Sequence, residues 1–176
     1  MKKVFTIFCF SLMLMTAREA SAQAEIDKGN VLLNAGFGFG YYYAGGVPIL
    51  FSAEFALNDA ISIGPYLGFT TWRQSYFGYR YSYTFVDFGA RGSYHFNKHL
   101  NLNTDKLDLY GGVMLGYRIS SYNYDGPGID YDDSYPSSVT GGLFAGARWY
   151  FTDRFSANAE LGYGVAPLYL GISFKI

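Results

Sequence analysis

The chain has 176 residues, 20% of them aromatic and only 15% charged, with 22 glycines and a formal net charge of −1. A disordered chain is excluded, because such chains lack aromatics and carry more charge, and the glycines have no collagen period of three. The near-neutral charge gives no electrostatic case for nucleic acid, and the length suits one domain.

Met1-Lys2-Lys3 is a positive start, Val4 to Met15 a mostly apolar run, and Ala22-Gln23-Ala24 a small-x-small site. The run is too short to span a bilayer, which takes about 20 residues, and the order is that of a secretory signal peptide. The expectation is a signal peptide over residues 1–24 and a barrel domain over 25–176, with a cut after Ala22 as the alternative. Cys9, the one cysteine, lies inside the apolar run. The mature chain would then have no disulfide and no thiolate nucleophile or metal site. Loss of Lys2, Lys3, Arg18 and Glu19 would take the net charge from −1 to −3.

Beyond the leader the chain alternates with period two, the mark of strands with two different faces. In the first segment Leu33, Ala35, Phe37 and Phe39 share one face and Asn34, Gly36, Gly38 and Gly40 the other. The split recurs from Ile49 to Leu57, with Glu54 on the small face, and from Ile61 to Phe69, with Gly64 and Tyr66 there. A fourth segment, Val86 to Phe96, sets Asp87, Arg91 and His95 on that face, and a fifth, Leu107 to Ile119, sets Asp108, Tyr110 and Arg118. The last three begin near Leu143, Phe155 and Leu168, and their small faces carry Arg148, Glu160, and Tyr169 with Lys175.

Eight such strands predict an all-β fold, a closed eight-stranded antiparallel up-and-down transmembrane β-barrel. The small face is too sparsely charged for a water-facing surface and suits the narrow interior of an eight-stranded barrel. The apolar face then meets lipid, and closure satisfies every backbone hydrogen-bonding group there. Asn58-Asp59-Ala60, Asn97 to Asp105 and Thr152-Asp153 fall at one end, read as periplasmic. Ala44-Gly45-Gly46, the Arg73–Arg80 region, Ser121–Ser137 and Val165-Ala166-Pro167 fall at the other, read as outer loops. Pro65 is expected to mark a bulge. The aromatic row Tyr79–Phe85 has the wrong parity for lipid, so it points inward above the membrane or a bulge shifts it.

The end of the sequence, Gly171-Ile172-Ser173-Phe174-Lys175-Ile176, resembles the C-terminal signal read in outer-membrane assembly, carried here by Gly171, Phe174 and Ile176. The terminal residue of that signal is usually Phe, where this chain has Ile176. With Gly146-Ala147-Arg148-Trp149-Tyr150-Phe151-Thr152-Asp153-Arg154-Phe155, the last part looks like the outer-membrane β-barrel domain family common in Bacteroidota. The architecture is also similar to the small OmpX- and OmpA-type barrels. The resemblance implies an outer-membrane location, contact with the bilayer and its lipopolysaccharide, insertion by the barrel-assembly machinery, and a monomer. It implies no particular activity.

The small face carries Glu54, Asp87, Arg91, Arg118, Arg148 and Glu160, expected to form a lumenal ion-pair network, because a lone charge there would cost several kcal/mol. Arg148 and Glu160, on neighbouring strands, are expected to pair, as are Asp87 and Arg118. The histidines, His95 and His99, map to the periplasmic end. No base lies near the outer leaflet, so the chain is read as no enzyme. No cofactor is expected. Asp125, Asp130, Asp132 and Asp133 could offer carboxylates to a hard cation, but they match no calcium-loop spacing and read as a solvated acidic loop. Arg73, Tyr76, Phe77, Tyr79, Arg80, Tyr122, Tyr124 and Tyr131 form a candidate binding surface of outer loops two and three, since Tyr and Arg are favoured at hot spots. Tyr is also the residue of the membrane-interface belt. The expectation is a barrel with a side-chain-plugged interior and a structural or adhesive role through its loops. A small-solute pore, or an accessory part of an outer-membrane machine, is the alternative.

Overall fold

The computed structural model describes residues 26–40, 46–76, 79–100, 104–125 and 136–176. Residues 1–25, which hold the expected signal peptide, lie outside them. The alternating segments form β1 (Val31–Phe39), β2 (Ile49–Ala56), β3 (Ile61–Tyr76), β4 (Tyr79–His95), β5 (Leu107–Asp125), β6 (Ser138–Tyr150), β7 (Phe155–Tyr163) and β8 (Leu168–Lys175). Each pairs antiparallel with its neighbour, and β1 pairs with β8 to close the barrel.

Turn chemistry fixes the end that carries Val31. Asn58 Oδ1 accepts from the backbone N–H groups of Ala60 and Ile61, both at 2.9 Å. Thr152 Oγ1 accepts from that of Phe155 at 3.0 Å. Such side-chain acceptors hold tight turns without help from the sheet. Lys98 Nζ donates to Asp59 Oδ2 at 2.5 Å across two turns, and this bond holds the exposed Asp59 carboxyl below its ordinary pKa. Ile26 tucks against Leu32 and Ala56 and seals this end with apolar surface.

One expectation about register is corrected, and one left between two alternatives is decided. Pro65 makes no bulge: Ser52↔Tyr66 and Phe55↔Ile63 keep one register on either side of it. Its missing N–H only interrupts the β2–β3 ladder at Ala53 and Glu54, while pairing with β4 runs on through Pro65↔Ala90. For Tyr79–Phe85 the bulge is absent, since pairing with β3 and β5 is continuous, and the inward alternative holds at Phe85, which is buried facing the lumen. The Arg73–Arg80 region is no loop either. β3 and β4 stay paired up to Tyr76↔Tyr79.

The apolar face is the outward one. Leu115 and Leu161 are each 66% exposed, whereas Asn34, Glu54, Arg91 and Arg148 on the other face are buried. The outward face changes character along a line. Phe69, Val86 and Ile119 stand side by side on β3, β4 and β5, and the next outward row is Thr71, Thr84 and Ser121. The row beyond is Arg73, Ser82 and Asn123. Three strands therefore switch from apolar to polar at one level, as a membrane boundary requires. On β5 the apolar stretch runs from Leu107 to Ile119. At about 3.3 Å per residue and a tilt near 45°, it rises roughly 28 Å, close to the apolar band of outer-membrane-type barrels.

Candidate functional site

The barrel has two regions rich in functional side chains, its lower interior and the strand extensions above the apolar band. In the lower interior Glu54 accepts from Ser93 Oγ at 2.5 Å, Ser62 Oγ at 3.0 Å and Asn34 Nδ2 at 3.1 Å. Arg91 Nε lies 3.2 Å from Glu54, and its Nη2 donates to Glu160 Oε1 at 2.8 Å. Arg91 thus bridges two carboxylates across the lumen, from β4 to β2 and to β7. Tyr110 Oη adds a bond to Glu160 at 2.9 Å.

Arg148 and Glu160 do not pair, which corrects the sequence expectation. Arg148 faces Asn158, and Glu160 faces Gly146, so no direct register brings them together. Arg148 Nη1 donates instead to Asp108 Oδ2 at 2.5 Å, directly across β5–β6, and Nε donates to Ser173 Oγ at 3.1 Å. Its Nη2 reaches Asn34 Oδ1 on β1 at 3.3 Å. Asp108 and His95 were missed as members of this cluster. His95 Nδ1 donates to Asp108 at 3.0 Å, and Nε2 lies 3.0 Å from Ser62 Oγ. Glu54, Asp108 and Glu160 thus face Arg91 and Arg148, with His95 against Asp108.

Ser62, His95 and Asp108 have the order of a nucleophile, base and orienting acid. Ser62 has no exposed surface and its proton belongs to Glu54, so no substrate atom reaches the hydroxyl here. His99 lies outside the lumen, its Nε2 2.7 Å from Tyr94 Oη.

Glycines make this density possible. A Cβ at Gly146 would run into the Tyr110 ring and Glu160, and one at Gly112 would run into the Phe144 ring. Above the cluster, Arg91 packs on Phe144, 4.0 Å from its centroid. Tyr66, Phe144, Val165 and Tyr169 are buried at mid-barrel. The void of about 20 Å³ between Arg91, Met114, Phe144 and Glu160 has room for about one water. Higher still, Asp87 and Arg118 stand opposite each other on β4 and β5, 2.6 Å apart.

The second region is a three-stranded blade. β2 begins opposite Phe69 and β6 opposite Arg118, so beyond those residues β3, β4 and β5 pair only with one another among the described residues. From Thr70 to Tyr76 the blade gains roughly 20 Å. Trp72, Tyr83 and Tyr122 lie side by side on its lumenal face, with ring centroids 5.6 and 4.8 Å apart. Arg73 and Arg80 are exposed. Tyr76, Tyr79 and Tyr124 lie on paired strands near the tip, and Asp125 ends β5 opposite Arg80. These six members of the expected loop surface are therefore strand residues. Phe77, Tyr131, Asp130, Asp132 and Asp133 lie outside the described residues.

No protein-family model matches the chain, and no curated relative was found for it. The likeness to the Bacteroidota barrel family is therefore unsupported. Solved structures do match. Outer membrane protein OprG from Pseudomonas aeruginosa aligns with a TM-score of 0.58 at 10% identity, over 90% of this chain and 99% of that one. Ail, the attachment invasion locus protein of Yersinia pestis, solved with the heparin analogue sucrose octasulfate, aligns with a TM-score of 0.56 at 12% identity, over 85% and 99%. The N-terminal β-barrel domain of Pseudomonas aeruginosa OprF aligns with a TM-score of 0.51 at 19% identity, over 86% and 100%. The chain has the fold of these eight-stranded outer-membrane barrels. Identities this low speak for the fold alone.

Proposed function

We propose that this chain is an integral outer-membrane barrel, exported through a cleaved signal peptide, whose blade is an attachment surface and whose interior is a structural plug. It would stand in the bilayer as a monomer beside lipopolysaccharide, placed there by the barrel-assembly machinery, which reads Gly171, Phe174 and Ile176. The blade carries the reading. Three strands run past the level where the outward face turns polar, and they take a cross-strand row of Trp72, Tyr83 and Tyr122 with them. Tyr, Trp and Arg are the side chains that most often anchor a partner. That the similar Ail bears an attachment name and was solved with a heparin analogue is in keeping with such a role. The filled lumen argues against a solute pathway, because the network and the mid-barrel rings occupy the section a solute would need.

Cells displaying the full chain should adhere to immobilised heparin better than cells displaying Trp72→Ser/Tyr83→Ser/Tyr122→Ser. Loss of one such anchor typically costs 2 kcal/mol or more, roughly thirtyfold in affinity. Equal adhesion, with both proteins shown to be in the outer membrane at equal amounts, would remove the blade from the function.

A further inference from the structure

Upper β6 loses one neighbour before it reaches the mouth of the barrel. β7 ends at Tyr163, opposite Leu143, and the chain then turns at Gly164, whose φ of 139° suits glycine, to send Val165 into the lumen. Among the described residues, Ser138–Gly142 are therefore paired on the β5 side only. A cavity of about 380 Å³ opens at this break in the wall.

Its lining changes character through the thickness of the wall. On the lumenal side stand the Phe85 ring, Arg118, Ser120, Ser138 and Thr140, and on the outward side Val139 and Tyr163. Arg118 is already paired with Asp87, so the cavity does not demand an anion. It offers hydroxyls, together with backbone donors and acceptors on the unpaired edge of β6. Ser120 Oγ is buried and has no hydrogen-bond partner among the described residues. The depth is that of lipid headgroups: Val139 stands opposite Tyr117, one outward row below Ile119, where the apolar band ends. Below the notch the wall is low at Gly141 and Ala145, beside exposed Leu143 and Leu161.

We propose that this notch binds one amphiphile, with a hydroxyl-rich headgroup of the sugar type in the cavity and its acyl chain lying down the outward face of β6 and β7. A polyhydroxyl head both donates and accepts, as the serine and threonine hydroxyls and the open β6 edge require, and the Phe85 ring gives it an apolar floor. A soluble sugar has the same hydroxyls but no chain, and the test separates the two.

The probe is dodecyl maltoside, added at low mole fraction to nanodiscs holding the full chain with Pro136→Cys at the cavity rim and Cys9 removed. It should slow labelling by a water-soluble maleimide saturably, by about tenfold at ten times its dissociation constant. Maltose alone and dodecanol alone should leave the rate unchanged. Gly141 is on the outward face, where a Cβ would meet nothing nearer than the Met114 carbonyl at 3.8 Å, so Gly141→Phe has room to block the path of the acyl chain out of the notch. It should abolish protection while the unboiled protein still runs as a folded barrel. If that variant fails to fold, Ser120→Val/Thr140→Val should weaken protection in its place. The proposal fails if dodecyl maltoside gives no protection, or if protection survives Gly141→Phe or the double valine. It fails equally if Asn123→Cys on the blade is shielded as well, or if maltose alone or dodecanol alone protects as strongly.

Discussion

Arg91→Met should destabilise the barrel by about 3–5 kcal/mol, the range for breaking a buried pair by removing one partner. The guanidinium holds Glu54 and Glu160 from opposite walls, and both carboxylates are buried. Methionine would fill the volume and leave two carboxylates without their shared cation. Glu54 would keep Asn34, Ser62 and Ser93, and Glu160 would keep Tyr110, but neutral donors do not replace the lost charge. Adding Glu160→Gln to Arg91→Met should recover part of the loss, because one uncompensated charge disappears. The cycle of Glu160→Gln with Arg148→Met should couple more weakly, since these two meet only through the Tyr110 ring and hydroxyl. Urea unfolding from lipid vesicles gives the energies. A loss under about 0.5 kcal/mol for Arg91→Met, the usual size of a surface change, would mean that the cluster is not sealed from water.

Leu115→Arg should cost about 2–4 kcal/mol, the range for arginine on the lipid face near the bilayer midplane. Leu115 is in the middle of β5, outward and 66% exposed. Asn123→Arg, on the same face of the same strand but two rows above the apolar-to-polar line, should cost close to nothing. The pair of variants holds strand, face and residue type constant and changes only depth. If both are harmless, the outward face meets water rather than lipid. If both are equally harmful, the boundary at Thr71, Thr84 and Ser121 is misplaced.

Strand parity was legible because period two survives any error in register. Leu33, Phe37, Phe51, Leu67, Phe88, Leu115 and Leu161 were assigned to one face from alternation alone, and all face outward. The true lengths of β3, β4 and β5 were not. Above Phe69 the outward residues become Thr71 and Arg73, and the inward ones become the large Trp72 and Tyr83, so the hydrophobic signal reverses exactly where the strands leave the apolar band. Partners in the lumen were harder still. Counting from the turns ranks charges by depth, but strands of a closed barrel tilt, and side chains reach across it. Arg91 on β4 thus finds Glu160 on β7, and Arg148 on β6 finds Asn34 on β1. Asp108 could have been found as the carboxylate facing Arg148, but the connection between β5 and β6 is long and leaves their register open to sequence reasoning.

The most direct test is cysteine accessibility along the outward row of β5, one substitution at a time from Val113 to Asn123, with Cys9 removed, in native outer-membrane vesicles. At Val113, Leu115, Tyr117 and Ile119 the cysteine should react with a lipid-soluble maleimide and resist a water-soluble one. At Ser121 and Asn123 it should react with both. Water-soluble labelling at Leu115→Cys as fast as at Asn123→Cys would show that the apolar face is not in the membrane, and the account of a lipid-facing barrel with a polar, plugged interior would be wrong.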